Sequence, residues 1–352
     1  MKSFDYIRPT SVSAAVAAGS LPGAVYLAAG TNLLDLMKGG VTRPDRLVDV
    51  TRLPGLDRIE TLADGSVRIG ALVRNADLAH QAAFAKVYPG VAEALLSGAS
   101  AQLRNAATVG GNILQRTRCA YFYDVASACN RREPGSDCDA RHGDNRLHAV
   151  LGWSHACIAT HPSDLCVSLV ALDAVVEIEG KSGRREVKLE DLHRLPGEAP
   201  ERETVLEPGD LIVAVKLPSS ANSFSHHARY LKVRERTSYA FAVVSAAACL
   251  RIARNQIAEA RIALGGVAAK PWRARQAEEL LTGMAPKAEN FRRAADAALA
   301  EARPSGNNAF KIELAQRIVV RVLALAALGT PDRIPALPAS PFASQPGALH
   351  DL

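Results

Sequence analysis

The chain has 352 residues, 48% of them hydrophobic, enough to bury large cores and to exclude a disordered or peptide-sized protein. Its formal net charge of +6 comes from Lys and Arg interleaved with Asp and Glu, without an aromatic-rich basic stripe, so it reads as solvated surface and not as a nucleic-acid footprint. No stretch approaches the roughly 18 consecutive apolar residues of a membrane span, and the opening MKSFDYIRPTSVSAAVAAG lacks a signal-peptide layout, so export is expected only on a partner's signal.

In chain order, AVYLAAG predicts a strand, GTNLLDLMKGG a tight turn opening a helix, and RLVDV a further strand. SVRIGALV predicts a strand, the alanine-rich NADLAHQAAF a helix, and YPGVAEALLSGAS a second helix. RNAATVGGNI reads as a glycine turn, and a cysteine-rich stretch follows it. SDLCVSLVALDAVVEIEG predicts a helix running into a strand, and REVKLEDL and DLIVAVKLP continue the alternation. Pro, Ser and Asn cluster in LPSSANSFSHH and mark a boundary. Beyond it, SYAFAVVSAAACLRI and IAEARIALGGVA predict strands, and QAEELLTG, FRRAADAALAEA and IELAQRIVVRVLALAAL amphipathic helices. The expected organisation is α+β: a first domain over 1–220, carrying a cysteine-rich insert at about 115–160, and a smaller α+β domain over 221–328. The Pro-rich tail, 329–352, is expected to wrap a surface or a partner instead of forming a core.

Two glycine-bearing turns invite a chemical reading. After YL, the small residues Ala28, Ala29 and Gly30 lead through Thr31 and Asn32 into a helix. Small side chains let backbone N–H groups approach an anion, and a helix start adds unpaired donors, so a pyrophosphate fits. A plain strand-to-helix turn with a Thr or Asn cap uses the same residues, and no G-x-G-x-x-G fingerprint is present. In the second turn Gly110 and Gly111 lie between Thr108 and Asn112. They let backbone pass against a flat or charged ligand, as an ordinary β-turn or bulge also would.

Taken together, AGTNLLDLMK, IGALVRNADLA, RNAATVGGNI, HPSDLCVSLVALDA and GGVAAKPWRARQAEELLTG resemble the FAD-binding subunits of molybdenum hydroxylases, the xanthine dehydrogenase and carbon monoxide dehydrogenase medium-subunit family. The resemblance extends to about Leu328. It implies a two-subdomain FAD-binding fold of the vanillyl-alcohol-oxidase type followed by a C-terminal domain of the CO-dehydrogenase flavoprotein type. It further implies that the backbone of Ala28, Ala29, Gly30, Thr31, Asn32, Leu33 and Leu34 cradles the pyrophosphate, and that Thr108, Gly111 and Asn112 contact the phosphates and nearby sugar. Asp164 would accept from ribose or ribityl hydroxyls, although the same residue suits an N-cap. Ile212 and Lys232 match positions near the isoalloxazine, although Lys232 reads equally well as a solvated strand residue. Covalent flavoenzymes of the wider superfamily attach through a His in the first turn; this turn is AAGTN, so FAD is expected to be noncovalent. The implied partners are a large subunit with the molybdenum cofactor, a small subunit with two [2Fe-2S] clusters, and an external electron acceptor. Neither a serine nucleophile elbow nor an acid–base pair is visible, as befits a chain that moves electrons.

The insert holds four of the six cysteines, spaced C-x9-C-x8-C-x18-C. Four thiolates can ligate an iron–sulfur cluster, hold zinc or form two disulfides; the close pairs of structural zinc sites are absent, and the other two readings stay open. Arg116, Arg118, Arg131 and Arg132 lie beside Cys119 and Cys129, where they would offset a negatively charged cluster. Most family members pass directly from GGNI to SDL. An insert at this point resembles those of the flavin subunits of 4-hydroxybenzoyl-CoA reductases and of bacterial periplasmic aldehyde oxidoreductases, with RTRCAYFYDVASACNRREPGSDC nearer the second. That implies a [4Fe-4S] cluster on Cys119, Cys129, Cys138 and Cys157. Cys166 and Cys249 sit in apolar runs and are expected to be small buried hydrophobes, with Cys166 the reserve ligand. His142, His148, His155 and His161 are expected to be loop histidines that hydrogen-bond or line the ligand shell. The implied function is electron transfer within an aldehyde-oxidising molybdenum hydroxylase, in the periplasm by co-export or otherwise in the cytoplasm. A reductive enzyme of the 4-hydroxybenzoyl-CoA reductase kind and a non-redox subunit with a zinc- or disulfide-stapled loop are the alternatives.

Overall fold

The computed structural model describes residues 1–335 and 337–341. A small parallel sheet comes first, with Arg46–Asp49 between Asp5–Ile7 and Ala24–Leu27. Parallel pairing requires crossovers. The first carries the helix Val12–Gly19, whose N-terminus is capped by the Ser11 hydroxyl accepting from Ala14 N at 3.2 Å. The second carries the helix Leu33–Lys38 that follows the AAGTN turn.

The second sheet is antiparallel, in the order Ile59–Thr61, Val67–Gly70, Leu211–Leu217, Val175–Gly180, Gly183–Lys188. Its central strand is buried along nearly its whole length, which explains the near-continuous apolar run LIVAVKL. The helices Pro89–Ser97 and Asp164–Ala171 complete this core. The third sheet, also antiparallel, runs Trp272–Arg273, Gln256–Gly265, Val244–Ala253, Ala228–Val233.

The strand Val244–Ala253 is buried on both faces, and strand geometry sends alternate side chains to opposite sides. Ala247 and Cys249 enter the core of the second sheet, whereas Ala246, Ala248 and Leu250 pack with the helix Phe310–Leu328. Cys166 and Cys249 are both fully buried thiols, as expected of them.

Several local readings change. NADLAHQAAF breaks at Gln81, whose extended ψ of 108° separates Asn75–His80 from Ala82–Val87. The glycine turn is helical: Ala101–Ala106 is followed by Val109–Ile113, capped by the Thr108 hydroxyl accepting from Gly111 N at 3.2 Å. Gly110 is favoured there because a Cβ would lie 3.0 Å from the Ala71 Cβ and 3.2 Å from its carbonyl oxygen, a tight fit. The tail contributes to a core after all: Ala339 is buried, and its carbonyl accepts from Lys232 N at 2.8 Å. The rest of that expectation, at 336 and 342–352, lies outside the described residues. Among those described, no helix is long and apolar enough to cross a membrane.

The insert has little regular structure beyond the short helix Ala120–Tyr123 and a 3-10 turn at Asp139–Arg141. Side chains hold it instead. Arg132 donates to the carbonyls of Tyr121, Phe122 and Asp124 at 2.8, 3.0 and 2.9 Å, and Phe122 is fully buried. Its C-terminal end is clamped by the buried Lys311, whose ammonium donates to the carbonyls of Leu147, His148 and Gly266 at 2.9, 2.8 and 2.6 Å. Burial pulls that ammonium down to about 7, and the three acceptors oppose the pull. Replacing Lys311 by Met strands buried acceptors, so Lys311→Met is expected to lower stability by about 1–3 kcal/mol in urea unfolding. A wild-type unfolding midpoint would refute the clamp.

Candidate functional site

A cavity of about 740 Å³ opens where the first turn, the Val109–Ile113 helix, the insert and the strand Ala228–Val233 converge. Thr31, Asn32, Gly111, Asn112, Asp164 and Lys232 all line it. Ala28, Ala29, Gly30, Leu33 and Leu34 shape the first turn from behind, outside the lining. Gly30 takes φ of +75°, a left-handed value that a side chain there would strain. Asn32 ties this turn to the insert: its Oδ1 accepts from Arg116 N at 2.9 Å, and its Nδ2 donates to the Tyr123 hydroxyl at 3.2 Å.

On the opposite wall Asn112 Oδ1 accepts from the Ser163 hydroxyl and from Gln115 Nε2, both at 2.7 Å. Ser163 also caps the Asp164–Ala171 helix by accepting from Cys166 N at 3.2 Å. Asp164 is therefore not the cap. Its carboxylate accepts instead from the Tyr230 hydroxyl at 2.5 Å and the Lys232 ammonium at 2.8 Å, leaving lone pairs for a ligand. Lys232 is 2% exposed and also donates to the Ser97 carbonyl at 3.3 Å, so the solvated reading of this lysine is overturned. Burial, reinforced by the Asp164 charge, pushes the Tyr230 hydroxyl well above its ordinary value.

Two further predicted positions, Thr108 and Ile212, also lie outside the lining. Thr108 spends its hydroxyl on the helix cap, and Ile212 pairs with Ile178 inside the second sheet's core.

All six cysteines are unbridged. Cys129 faces Cys138 across an isolated antiparallel bridge. The backbone N–H groups of Phe122 and Arg141 donate to the carbonyls of Cys119 and Cys138, each at 3.1 Å, and with those of Tyr121 and Ile158 they favour thiolates at the two residues. Cys157 Sγ accepts from Ala159 N at 3.5 Å, and the charge of the buried Arg131 guanidinium, which pairs with Glu203 at 2.9 Å, favours a thiolate there. His148 Nε2 lies 3.2 Å from Cys119 Sγ. Burial pushes the Cys119 thiol up to about 12 and raises Cys138, so thiolates here require charge compensation, which these N–H groups and Arg131 supply. Such donors fit a negatively charged multi-thiolate group and have no role beside a disulfide.

The other arginines do different work from that expected. Arg132 pins backbone, Arg116 pairs with Glu203, and Arg118 donates to the Tyr123 hydroxyl at 2.7 Å and stands over the Phe241 ring.

The histidines divide. His142 and His155 are exposed, whereas His148 is buried and lines the cavity with Cys119. His161 stacks on His193 at 4.3 Å, and their donor atoms lie with Cys166 Sγ within 4.8 Å of one another. Burial holds both imidazoles neutral, His193 at about 4 and His161 well below its usual value, and His193 Nε2 contacts the Ile113 carbonyl at 3.0 Å. Cys166 thus belongs to this packed group and not to the insert's thiols, and its role as reserve ligand falls away.

The sequence reading missed the segment 234–243, which closes the cavity with Glu235, Arg236, Tyr239 and Phe241. SYAF looked like the beginning of a strand, yet Tyr239 has φ of +52° and the strand begins only at Val244. An exposed Tyr and Phe so close together were the available signal.

The family described as the FAD binding domain in molybdopterin dehydrogenase matches residues 2–220, and the CO dehydrogenase flavoprotein C-terminal domain matches residues 229–326. The chain is 49% identical over 328 residues to the aldehyde oxidoreductase FAD-binding subunit PaoB of Escherichia coli strain K12, covering 92% of this chain and 98% of that one. It is 29% identical to the carbon monoxide dehydrogenase medium chain of Hydrogenophaga pseudoflava, covering 91% and 96%. Among solved structures, quinoline 2-oxidoreductase from Pseudomonas putida 86 superposes with a TM-score of 0.71 at 25% identity, covering 93% of this chain and 99% of that one. The chain therefore belongs to the FAD-binding subunits of the molybdenum hydroxylase and carbon monoxide dehydrogenase family.

Proposed function

We propose that this subunit carries electrons from the [2Fe-2S] clusters of a partner subunit to a noncovalent FAD and on to an external acceptor, with a [4Fe-4S] cluster held in its insert, within an assembly that oxidises aldehydes. The assembly would pair it with a large molybdenum-cofactor subunit and a small [2Fe-2S] subunit, in keeping with its 49% identity to an aldehyde oxidoreductase subunit. The observation that carries the reading is a shared wall: Cys119 of the insert and the residues of both flavin-type turns line one cavity. Flavin and cluster, when bound, supply the electron-carrying chemistry, and the protein supplies position and electrostatics.

For the flavin, Thr31, Asn32, Gly111 and Asn112 offer polar contacts from two sides, and Asp164, held by Tyr230 and Lys232, presents its free lone pairs to hydroxyls. The first turn offers no His for attachment. For the cluster, Cys119, Cys129, Cys138 and Cys157 are the ligands, with Arg131 and the neighbouring backbone N–H groups balancing charge.

Acid precipitation of the purified assembly should release all the yellow flavin into the supernatant. Colour retained by the pelleted chain would mean covalent attachment and would overturn the noncovalent reading. The ligand assignment has its own test in the iron content. Changing any one of Cys119, Cys129, Cys138 or Cys157 to Ser should remove about four iron atoms per chain, because a hydroxyl replaces a soft thiolate poorly. Cys166→Ser and Cys249→Ser should keep the iron. Since Asn32 ties the first turn to the insert, FAD occupancy should fall together with the iron. Full iron in all four insert variants would sink the cluster reading.

A further inference from the structure

We infer that His148 is a positioning residue that sets the reduction potential of the cluster through a hydrogen bond to Cys119, the ligand facing the flavin cavity. The inference rests on the cluster reading above. His148 Nε2 lies 3.2 Å from Cys119 Sγ, and both residues line the cavity. A metal-bound thiolate only accepts, so the contact fixes the tautomer: Nε2 carries the proton and donates it towards sulfur. Nδ1 is buried without a hydrogen-bond partner, and the ring also meets Tyr121 with centroids 6.5 Å apart.

The backbone of His148 is fixed on three sides. Its N–H donates to the Asn145 carbonyl at 3.0 Å, and its carbonyl accepts from Asn308 Nδ2 at 3.0 Å and from Lys311 Nζ at 2.8 Å. Asn308 and Lys311 both come from the C-terminal half of the chain and are fully buried. The imidazole is thus aimed at the sulfur by residues outside the insert, which an incidental loop histidine would not need.

The consequence follows from charge. One-electron reduction adds a negative charge to the cluster and its thiolates, and a fixed donor at a ligand sulfur stabilises that charge, raising the potential. Among the four thiolates, Cys119 is the one that lines the cavity, so the donor acts on the edge that exchanges electrons with bound flavin.

The test uses the intact assembly with His148→Phe, which removes the donor while keeping a flat ring, and His148→Gln, whose amide N–H restores one. Iron and flavin contents and EPR-monitored redox titrations are compared with wild type. Iron and flavin are expected to be full in all three, with the cluster's midpoint lower in His148→Phe and near wild type in His148→Gln. A wild-type midpoint in an iron-replete His148→Phe assembly overturns the inference, as does an equal fall in both variants. Should His148→Phe lose its iron, the reduced wild-type cluster with 15N-labelled histidine decides the matter: a weak imidazole nitrogen coupling, absent from His148→Gln, supports the contact, and its absence in wild type refutes it. A wild-type chain without iron would sink the cluster reading itself and this inference with it, an outcome distinct from full iron with an unmoved potential.

Discussion

A buried ion pair, Lys232 with Asp164, joins the two halves of the molecule at the wall of the cavity, and much of the site's geometry depends on it. Tyr230 and Lys232 lie two residues apart on one strand and so project from the same face, which lets both reach one carboxylate. Taking two charges out of water is costly, and such a pair contributes less to net stability than its short contact suggests. What it does impose is position. With either partner gone, the other charge is left buried and uncompensated, so the strand from the C-terminal half and the helix Asp164–Ala171 from the N-terminal half are held to one arrangement. The tail adds a further tie through the Ala339 carbonyl on the Lys232 backbone.

The insert poses the opposite problem. A segment this long with so little regular structure is unusual inside a compact fold and must satisfy its backbone groups by other means. Arg132 satisfies three carbonyls near its start, while Lys311 and Asn308 satisfy those of Leu147, His148 and Ala149 near its end. Few apolar side chains surround its cysteines, which fall in small clusters such as that of Leu36, Phe122 and Cys129 and that of Cys138, Ala140 and Ile158. A metal cluster would supply the central tie that a larger apolar core supplies elsewhere.

Elements defined by period or by strong punctuation were legible in the sequence. The helix Phe310–Leu328 and the strands Val244–Ala253 and Gln256–Gly265 declare themselves by patterning, and the AAGTN turn by its small residues. Features set by tertiary contact were not legible. Gly110 and Gly111 read as a turn because glycine is disfavoured in helices, yet the close approach of Gly110 to Ala71 favours a residue without a Cβ there. Ser163 and Asp164 are both good caps, and only the demand of Lys232 and Tyr230 for a carboxylate decides between them. The arginines beside Cys119 and Cys129 look equivalent in sequence, but folding sends Arg131 alone among the four towards a cysteine sulfur. His193 and Glu203 carried no motif, because the side chains they meet, His161 for the first and Arg116 and Arg131 for the second, are distant in sequence.

The strand Val244–Ala253 shows why the two halves act as one support for the cavity. Its small side chains, Ala246, Ala247, Ala248 and Cys249, serve two cores at once, and bulkier residues would force the helix Phe310–Leu328 or the helix Asp164–Ala171 away from it. Because interiors are close-packed, displacement of either helix is transmitted through the strand. Lys232 pairs in register with Ser245 on this strand, and Tyr230 with Ala247, so the residues that hold Asp164 are themselves seated on the wall between the cores. The position of the cavity's carboxylate is thus fixed by packing on both sides of a single strand, well beyond the residues that line the cavity.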